Sequence, residues 1–173
     1  MPIIKSITLS NQIRVSVWKI EESLTFFNNT PLNQTDQIKF QQLKSKAHQK
    51  GFLASRALLT HHQILPDQLY FLESGKPMLK GGLHLSLSHS FDYACIISAP
   101  FPVGIDIEKE SPKILKVAPR FCAPDLYNNN CSDLTKTWCA KEALYKCLGL
   151  KGLSLKNDIN VNYPFESTKQ TSA

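Results

Sequence analysis

The sequence predicts an α+β fold, and three observations carry that prediction. Phe40, Leu43, Ala47, Gly51, Ala54 and Leu58 recur at spacings of three and four between Asp36 and Leu65, as an amphipathic helix requires. A second helical stretch runs from Asp133 to Leu148 and stops at Gly149, a residue suited to closing a helix. The remaining apolar runs are short and separated by glycine- and proline-bearing turns, as strands and hairpins are. Short strands interrupted by two long helices fit α+β better than a parallel βαβ array.

The elements follow in order. Ile13 to Lys19 alternates, with Ile13, Val15 and Val17 on one side, and reads as an early strand. Asp36 to Leu65 forms one long helix or two consecutive ones, ended by Pro66-Asp67. Strands are expected at Leu69 to Leu72, Leu83 to Leu87, Tyr93 to Ser98 and Val103 to Ile107. Turns at Gly75-Lys76-Pro77, Gly81-Gly82, Phe91-Asp92 and Pro100-Phe101-Pro102 separate them. Helix is expected again around Pro112 to Phe121, and a last strand from Asp158 to Tyr163. The polar tail from Glu166 onward is expected to fray. No internal repeat is visible.

A chain of 173 residues can bury roughly 70% of its unfolded surface, so it needs neither disulfide nor metal to fold. At 42% hydrophobic and 20% charged, the composition is globular rather than disordered. No apolar run approaches 18 residues, which excludes a transmembrane helix, and the N-terminus lacks the basic flank and apolar stretch of a signal peptide. Five cysteines contain no CxxC pair, so they form neither a disulfide scaffold nor a zinc site. Reduced thiols in a cytoplasmic protein are the expectation. The net charge is +6, and from Gln37 to Pro66 there is no acidic residue but Lys39, Lys44, Lys46, Lys50 and Arg56. Such a stretch suits an anionic partner, or else is a solvated helix face.

Three constellations carry chemistry. In Val103-Gly104-Ile105-Asp106-Ile107-Glu108 the carboxylates lie two apart, so on an extended segment they share a face while Ile105 and Ile107 turn inward. Paired carboxylates suit a hard divalent ion, Mg²⁺ above all, that keeps positions open for phosphate. In Trp138-Cys139-Ala140-Lys141-Glu142-Ala143-Leu144-Tyr145-Lys146, Glu142 and Lys146 are four apart on a helix. They form either a surface pair or a third carboxylate with a phosphate-facing cation. Leu85-Ser86-Leu87-Ser88-His89-Ser90 is a strand entering a turn, where hydroxyls and an imidazole could meet phosphate. A catalytic Ser–His pair fits less well, because adjacent strand residues point apart.

Taken in order, GKP, SLSHS, VGIDIE and WCAKEALYK, preceded by the basic helix with its FLASRALL segment, closely resemble the motif series of Sfp-type 4′-phosphopantetheinyl transferases. The resemblance covers roughly Val15 to Tyr163. It implies transfer of the 4′-phosphopantetheine arm of coenzyme A to a serine of an apo acyl or peptidyl carrier protein, releasing 3′,5′-ADP. It implies Mg²⁺, with Mn²⁺ as a substitute, on Asp106, Glu108 and Glu142. Glu142 would also be the base, with Lys146 and Lys141 on the phosphoryl oxygens. His89, Ser88 and Lys50 would meet the 3′-phosphate of coenzyme A, and Lys76 and Pro77 the adenine end. The implied fold is two similar α+β halves related by a pseudo-two-fold, each a small antiparallel sheet on a long helix. The halves would be residues 1–100 and 101–173, the second shortened. A cytoplasmic monomer is implied.

Three other readings compete. One is a catalytically impaired relative that binds coenzyme A or a carrier protein. A nucleic-acid module on the basic helix would need aromatics among the lysines, and Phe40 and Phe52 fall on or beside the apolar stripe instead. A Mg²⁺-dependent nuclease would leave GKP and SLSHS unexplained. Neither nucleic acid nor membrane is therefore expected as partner. For an acidic carrier, Lys113, Lys116 and Arg120 would align on one helical face, flanked by Ile114, Leu115, Phe121 and Leu126.

Overall fold

A computed structural model describes residues 3–9, 12–123 and 130–161. Its centre is one six-stranded sheet. The strands are β1 (Ile3–Leu9), β2 (Ile13–Lys19), β3 (Leu69–Phe71), β4 (Pro77–Leu79), β5 (His84–Ser90) and β6 (Tyr93–Ala99). Their order is β1-β2-β6-β5-β4-β3 and every pairing is antiparallel. Helices α1 (Gln34–Gln42), α2 (Lys46–His61), α3 (Lys113–Val117) and α4 (Cys131–Leu148) complete the fold. The α+β class is as the pattern predicts. The helix expected over Asp36 to Leu65 is two helices, broken where Leu43 takes an extended conformation.

α2 supplies the main core. Its buried Leu53, Ala54, Leu58 and Leu59 pack with Trp18, Leu85, Ala94 and Ile96 from the sheet. Burying each of the leucine and isoleucine side chains contributes about 1.5–3 kcal/mol. A polar cluster interrupts this layer. Buried His62 bonds through Nε2 to Ser16 Oγ at 2.9 Å and through Nδ1 to Ser98 Oγ at 3.2 Å, while Arg14 donates to its carbonyl. Arg56, counted above with the basic stretch, is not a surface cation. It is buried and bidentate to fully buried Asp36 at 2.7 and 2.8 Å, tying α1 to α2. The acid that neutralises it lies one residue before the acid-free window.

Two expected strands are not strands. Residues 103–107 form no ladder, because Ile105 N–H and Ile107 N–H donate to the hydroxyls of Ser86 and Ser88 rather than to a neighbouring backbone. Asp158 lies in a turn and 159–161 are unpaired, with 162 and 163 outside the described residues. Among the described residues after Ala99 there is no strand, so the antiparallel sheet belongs to residues 3–99. A second small core joins Ala118, Phe121, Cys122 and Leu134, with Trp138 and Leu155 packed against it. α3 has only five residues before a 3₁₀ turn at Ala118–Arg120. Lys113, Lys116 and Arg120 are all exposed, but the change of helix type breaks their common stripe; Leu126 lies outside the described residues. No helix among the described residues is long and apolar enough to cross a membrane.

Candidate active site

The site is built from β5 outward. Alternation sends Leu85 and Leu87 into the α2 core and turns Ser86, Ser88 and Ser90 to the other side. Those three hydroxyls receive the acidic segment residue by residue. Ile105 N–H meets Ser86 Oγ at 3.1 Å, and Ile107 N–H meets Ser88 Oγ at 3.4 Å. Ser88 Oγ donates to Asp106 Oδ1 at 2.7 Å and Ser90 Oγ to Glu108 Oε2 at 2.5 Å. Two period-two patterns, serines on a strand and carboxylates on an extended segment, are thus matched side by side.

α4 closes over this pair. Gly104 makes the approach possible, because a Cβ there would run into the Ala143 carbonyl and lie 2.8 Å from Cys147 N. Lys146 does not pair with Glu142 four residues back. Its Nζ reaches Asp106 Oδ1 at 2.5 Å, with Ser88 Oγ and the Ile105 carbonyl each at 3.3 Å. Burial raises the Glu142 carboxyl above the usual carboxylate range; Asp106 and Glu108 add to the rise and Lys146 opposes it. The neighbouring Cys139 thiol is pushed up to about 12, first by burial and then by the same two carboxylates.

Two cavities meet here. One, of about 340 Å³, is lined by Asp106, Glu108 and Glu142 together with Ser88, His89, Trp138 and Lys146. The other, of about 330 Å³, runs along β5 between α2 and the end of α4, and its walls include Phe52, Phe71, Leu85, Pro77, Lys76 and Tyr145. It exists because β4 pairs with β5 only at Met78–His84, leaving the rest of that edge of β5 free. Leu87, Ser88, His89 and Lys146 line both cavities, so the two adjoin across these residues.

The structure therefore brings together Asp106, Glu108, Glu142, Lys146, Ser88 and His89, with Lys76 and Pro77 in the adjoining cavity. It does not bring Lys141, whose buried Nζ donates to the Phe121 and Leu155 carbonyls, each at 2.7 Å. Residue 141 lies one position from Glu142, so the helix turns it roughly 100° away from the cavity. Lys50 is half-buried on α2 and lines neither cavity. Its neighbour Gly51 is pressed on the His89 ring, where a Cβ would sit 2.6 Å from Nδ1. Loss of solvent lowers the His89 pKa, and His48, Arg56 and Lys146 lower it further. Lys76 donates to the Cys147 carbonyl at 2.7 Å, capping the end of α4. The sequence reading missed Ser86 and Ser90 as partners of the acidic segment, Gly104 as the contact with α4, and Trp138 as a wall. The alternating serines were the available signal.

The donor set fits a hard divalent cation. Three carboxylates line one cavity, and the buried Asp106 Oδ2 has no hydrogen-bond partner among the described residues. Among those residues no three acidic, histidine or cysteine side chains sit close enough together to enclose an ion. Closure would therefore need side-chain movement.

Comparison with known proteins finds similar sequences. Residues 102–171, which hold the acidic segment and α4, match the model of the 4′-phosphopantetheinyl transferase superfamily. The chain is 32% identical over 117 residues to the 4′-phosphopantetheinyl transferase psf-1 of Bacillus pumilus, covering 60% of this chain and 50% of that one. It is 33% identical over 89 residues to the transferase gsp of Aneurinibacillus migulanus, covering 47% and 37%. A 4′-phosphopantetheinyl transferase of Bacillus subtilis is 33% identical over 96 residues, covering 50% and 42%. Over these stretches the chain is similar to 4′-phosphopantetheinyl transferases, and it spans half the length or less of these relatives.

Proposed function

We propose that this protein transfers the 4′-phosphopantetheine group of coenzyme A to a serine of an apo acyl or peptidyl carrier protein. One observation carries the reading: a cavity lined by Asp106, Glu108 and Glu142 adjoins a second cavity walled by Phe52, Phe71, Leu85 and Pro77, and Ser88, His89 and Lys146 line both. The first suits a pyrophosphate with its cation, the second the long arm or the adenosine of a nucleotide-linked thiol. The serine oxygen attacks the phosphorus that bears the pantetheine arm. The bond from that phosphorus to the bridging oxygen breaks, and 3′,5′-ADP leaves.

Glu142 takes the serine proton. Its raised pKa makes it a stronger base than an ordinary carboxylate, although positioning still supplies most of the activation. Asp106 and Glu108, with Glu142, would hold Mg²⁺ or Mn²⁺, which neutralises charge on the phosphate oxygens when bound. Lys146 offers its ammonium to the same oxygens, and His89 and Lys50 meet the 3′-phosphate. Lys76 and Pro77 flank the adenine. Lys141 holds the helix in place instead of touching phosphate. On this reading residues 1–100 and 101–173 are two parts of a cytoplasmic monomer, the first carrying the sheet and the second the acidic segment and α4.

The test is incubation with Mg²⁺, a fluorescent coenzyme A and an apo carrier protein. Covalent labelling of the carrier is expected, and labelling should be lost in Asp106→Ala. Binding of coenzyme A without labelling would identify a non-catalytic relative instead.

A further inference from the structure

We infer that Lys146 is a resident cation of the carboxylate cavity: it competes with the divalent ion for Asp106 and so makes metal binding depend on a phosphate ligand. The inference rests on the metal reading of Asp106, Glu108 and Glu142 given above. The Lys146 ammonium has three N–H donors, and three acceptors surround it: Asp106 Oδ1, Ser88 Oγ and the Ile105 carbonyl. The Asp106 side chain is only 6% exposed. A carboxylate so buried needs a compensating cation, and Lys146 is the one in contact with it. A divalent ion on the same carboxylate would sit within a few ångströms of that ammonium and be repelled by it.

The same lysine has somewhere to go. It lines both cavities, and its side chain is 29% exposed, so the ammonium can swing out of the acidic cavity toward the junction. A pyrophosphate at that junction offers it a stronger acceptor and frees Asp106 for the metal. Metal and phosphate ligand then strengthen one another, and by linkage the effect is reciprocal.

The experiment is a calorimetric titration with Mn²⁺, with and without coenzyme A. It compares the wild type with Lys146→Met and Lys146→Gln, and with Asp106→Asn as control. Lys146→Gln keeps a donor for Asp106 should Lys146→Met fail to fold, and thermal melts report on both. Mn²⁺ alone should bind at least about tenfold tighter to either folded variant than to the wild type. The enhancement by coenzyme A should shrink in both. If the folded variants bind Mn²⁺ no tighter while Asp106→Asn abolishes binding, the competition is wrong and the metal reading stands. If nothing binds Mn²⁺ with or without coenzyme A, or Asp106→Asn changes nothing, the metal reading falls and takes the inference with it. Equal Mn²⁺ affinity of the wild type with and without coenzyme A also overturns the inference, whatever the variants do.

Discussion

The Ser88 hydroxyl donates to Asp106 across 2.7 Å while its oxygen lies 3.4 Å from Ile107 N–H and 3.3 Å from Lys146 Nζ. A side chain expected to meet a ligand phosphate also organises the acidic segment. Ser88→Ala removes a buried donor from a carboxylate and an acceptor from a backbone N–H. Urea denaturation should register a loss of about 1–3 kcal/mol. Unchanged stability, with only coenzyme A binding weakened, would return Ser88 to the role of a ligand contact.

Gly104 is the point where the acidic segment lies on α4. Adding one methyl group forces the Ala143 carbonyl or the segment to move. Gly104→Ala should lower stability by about 1–3 kcal/mol, the cost of overpacking a tight contact. It should also carry Asp106 and Glu108 away from Glu142, so Mn²⁺ binding falls together with the melting temperature. A variant as stable as the wild type would show that the segment has room to retreat.

His62 makes the fold sensitive to acid. Its pKa is lowered to about 4, first by burial and then by Arg14 and His61. The unfolded chain takes up a proton near 6.5, the folded one near 4, so between those values the unfolded state binds more protons. Stability should therefore fall as the pH drops through that window, by up to about 3 kcal/mol from this residue alone. Denaturant midpoints measured from pH 7 down to 4 check this, and His62→Gln should flatten the slope.

Coenzyme A and its 3′-dephospho form should separate the roles of His89 and Lys50. If these residues hold the 3′-phosphate, removing either weakens coenzyme A selectively, each contact being worth about 1.5–3 kcal/mol. The lowered His89 pKa adds a pH signature, because the ring must take up a proton to pair with phosphate. Coenzyme A should bind more tightly as the pH falls below about 6.5, and 3′-dephospho-coenzyme A should not. Parallel pH profiles for the two ligands would place the phosphate elsewhere.

Local rules made much of this legible. The apolar stripe of α2, the closure of α4 at Gly149 and the shared face of Asp106 and Glu108 follow from spacing alone, and the structure has all three. Long-range choices were not legible. β1 shows little alternation because most of its residues are exposed at the sheet edge, so the sequence reading began at Ile13. Arg56 looked like a surface cation because its partner, Asp36, comes from another helix. Residues 103–107 carry a strand pattern, but hydroxyls took the place of a strand's carbonyls. Lys141 and Lys146 are equally basic by type, and only packing decides which one enters the cavity.

Moving a helix on by one residue turns its side chains by roughly 100°, so its angular setting decides which of them face a neighbour. Lys141 works as a key in a shaft. Its ammonium is lodged between the Phe121 and Leu155 carbonyls, so α4 has one angular setting relative to the segments that carry them. Glu142 and Lys146 inherit that setting, which aims the acid and the ammonium at the cavity before any ligand arrives. Lys141→Met would remove the key while leaving most of the helix surface intact. The phase of α4 would then rest on contacts nearer its C-terminus, the Gly104 approach and the Lys76 and Lys146 bonds, with no polar tie to the segments that carry Phe121 and Leu155 through Lys141.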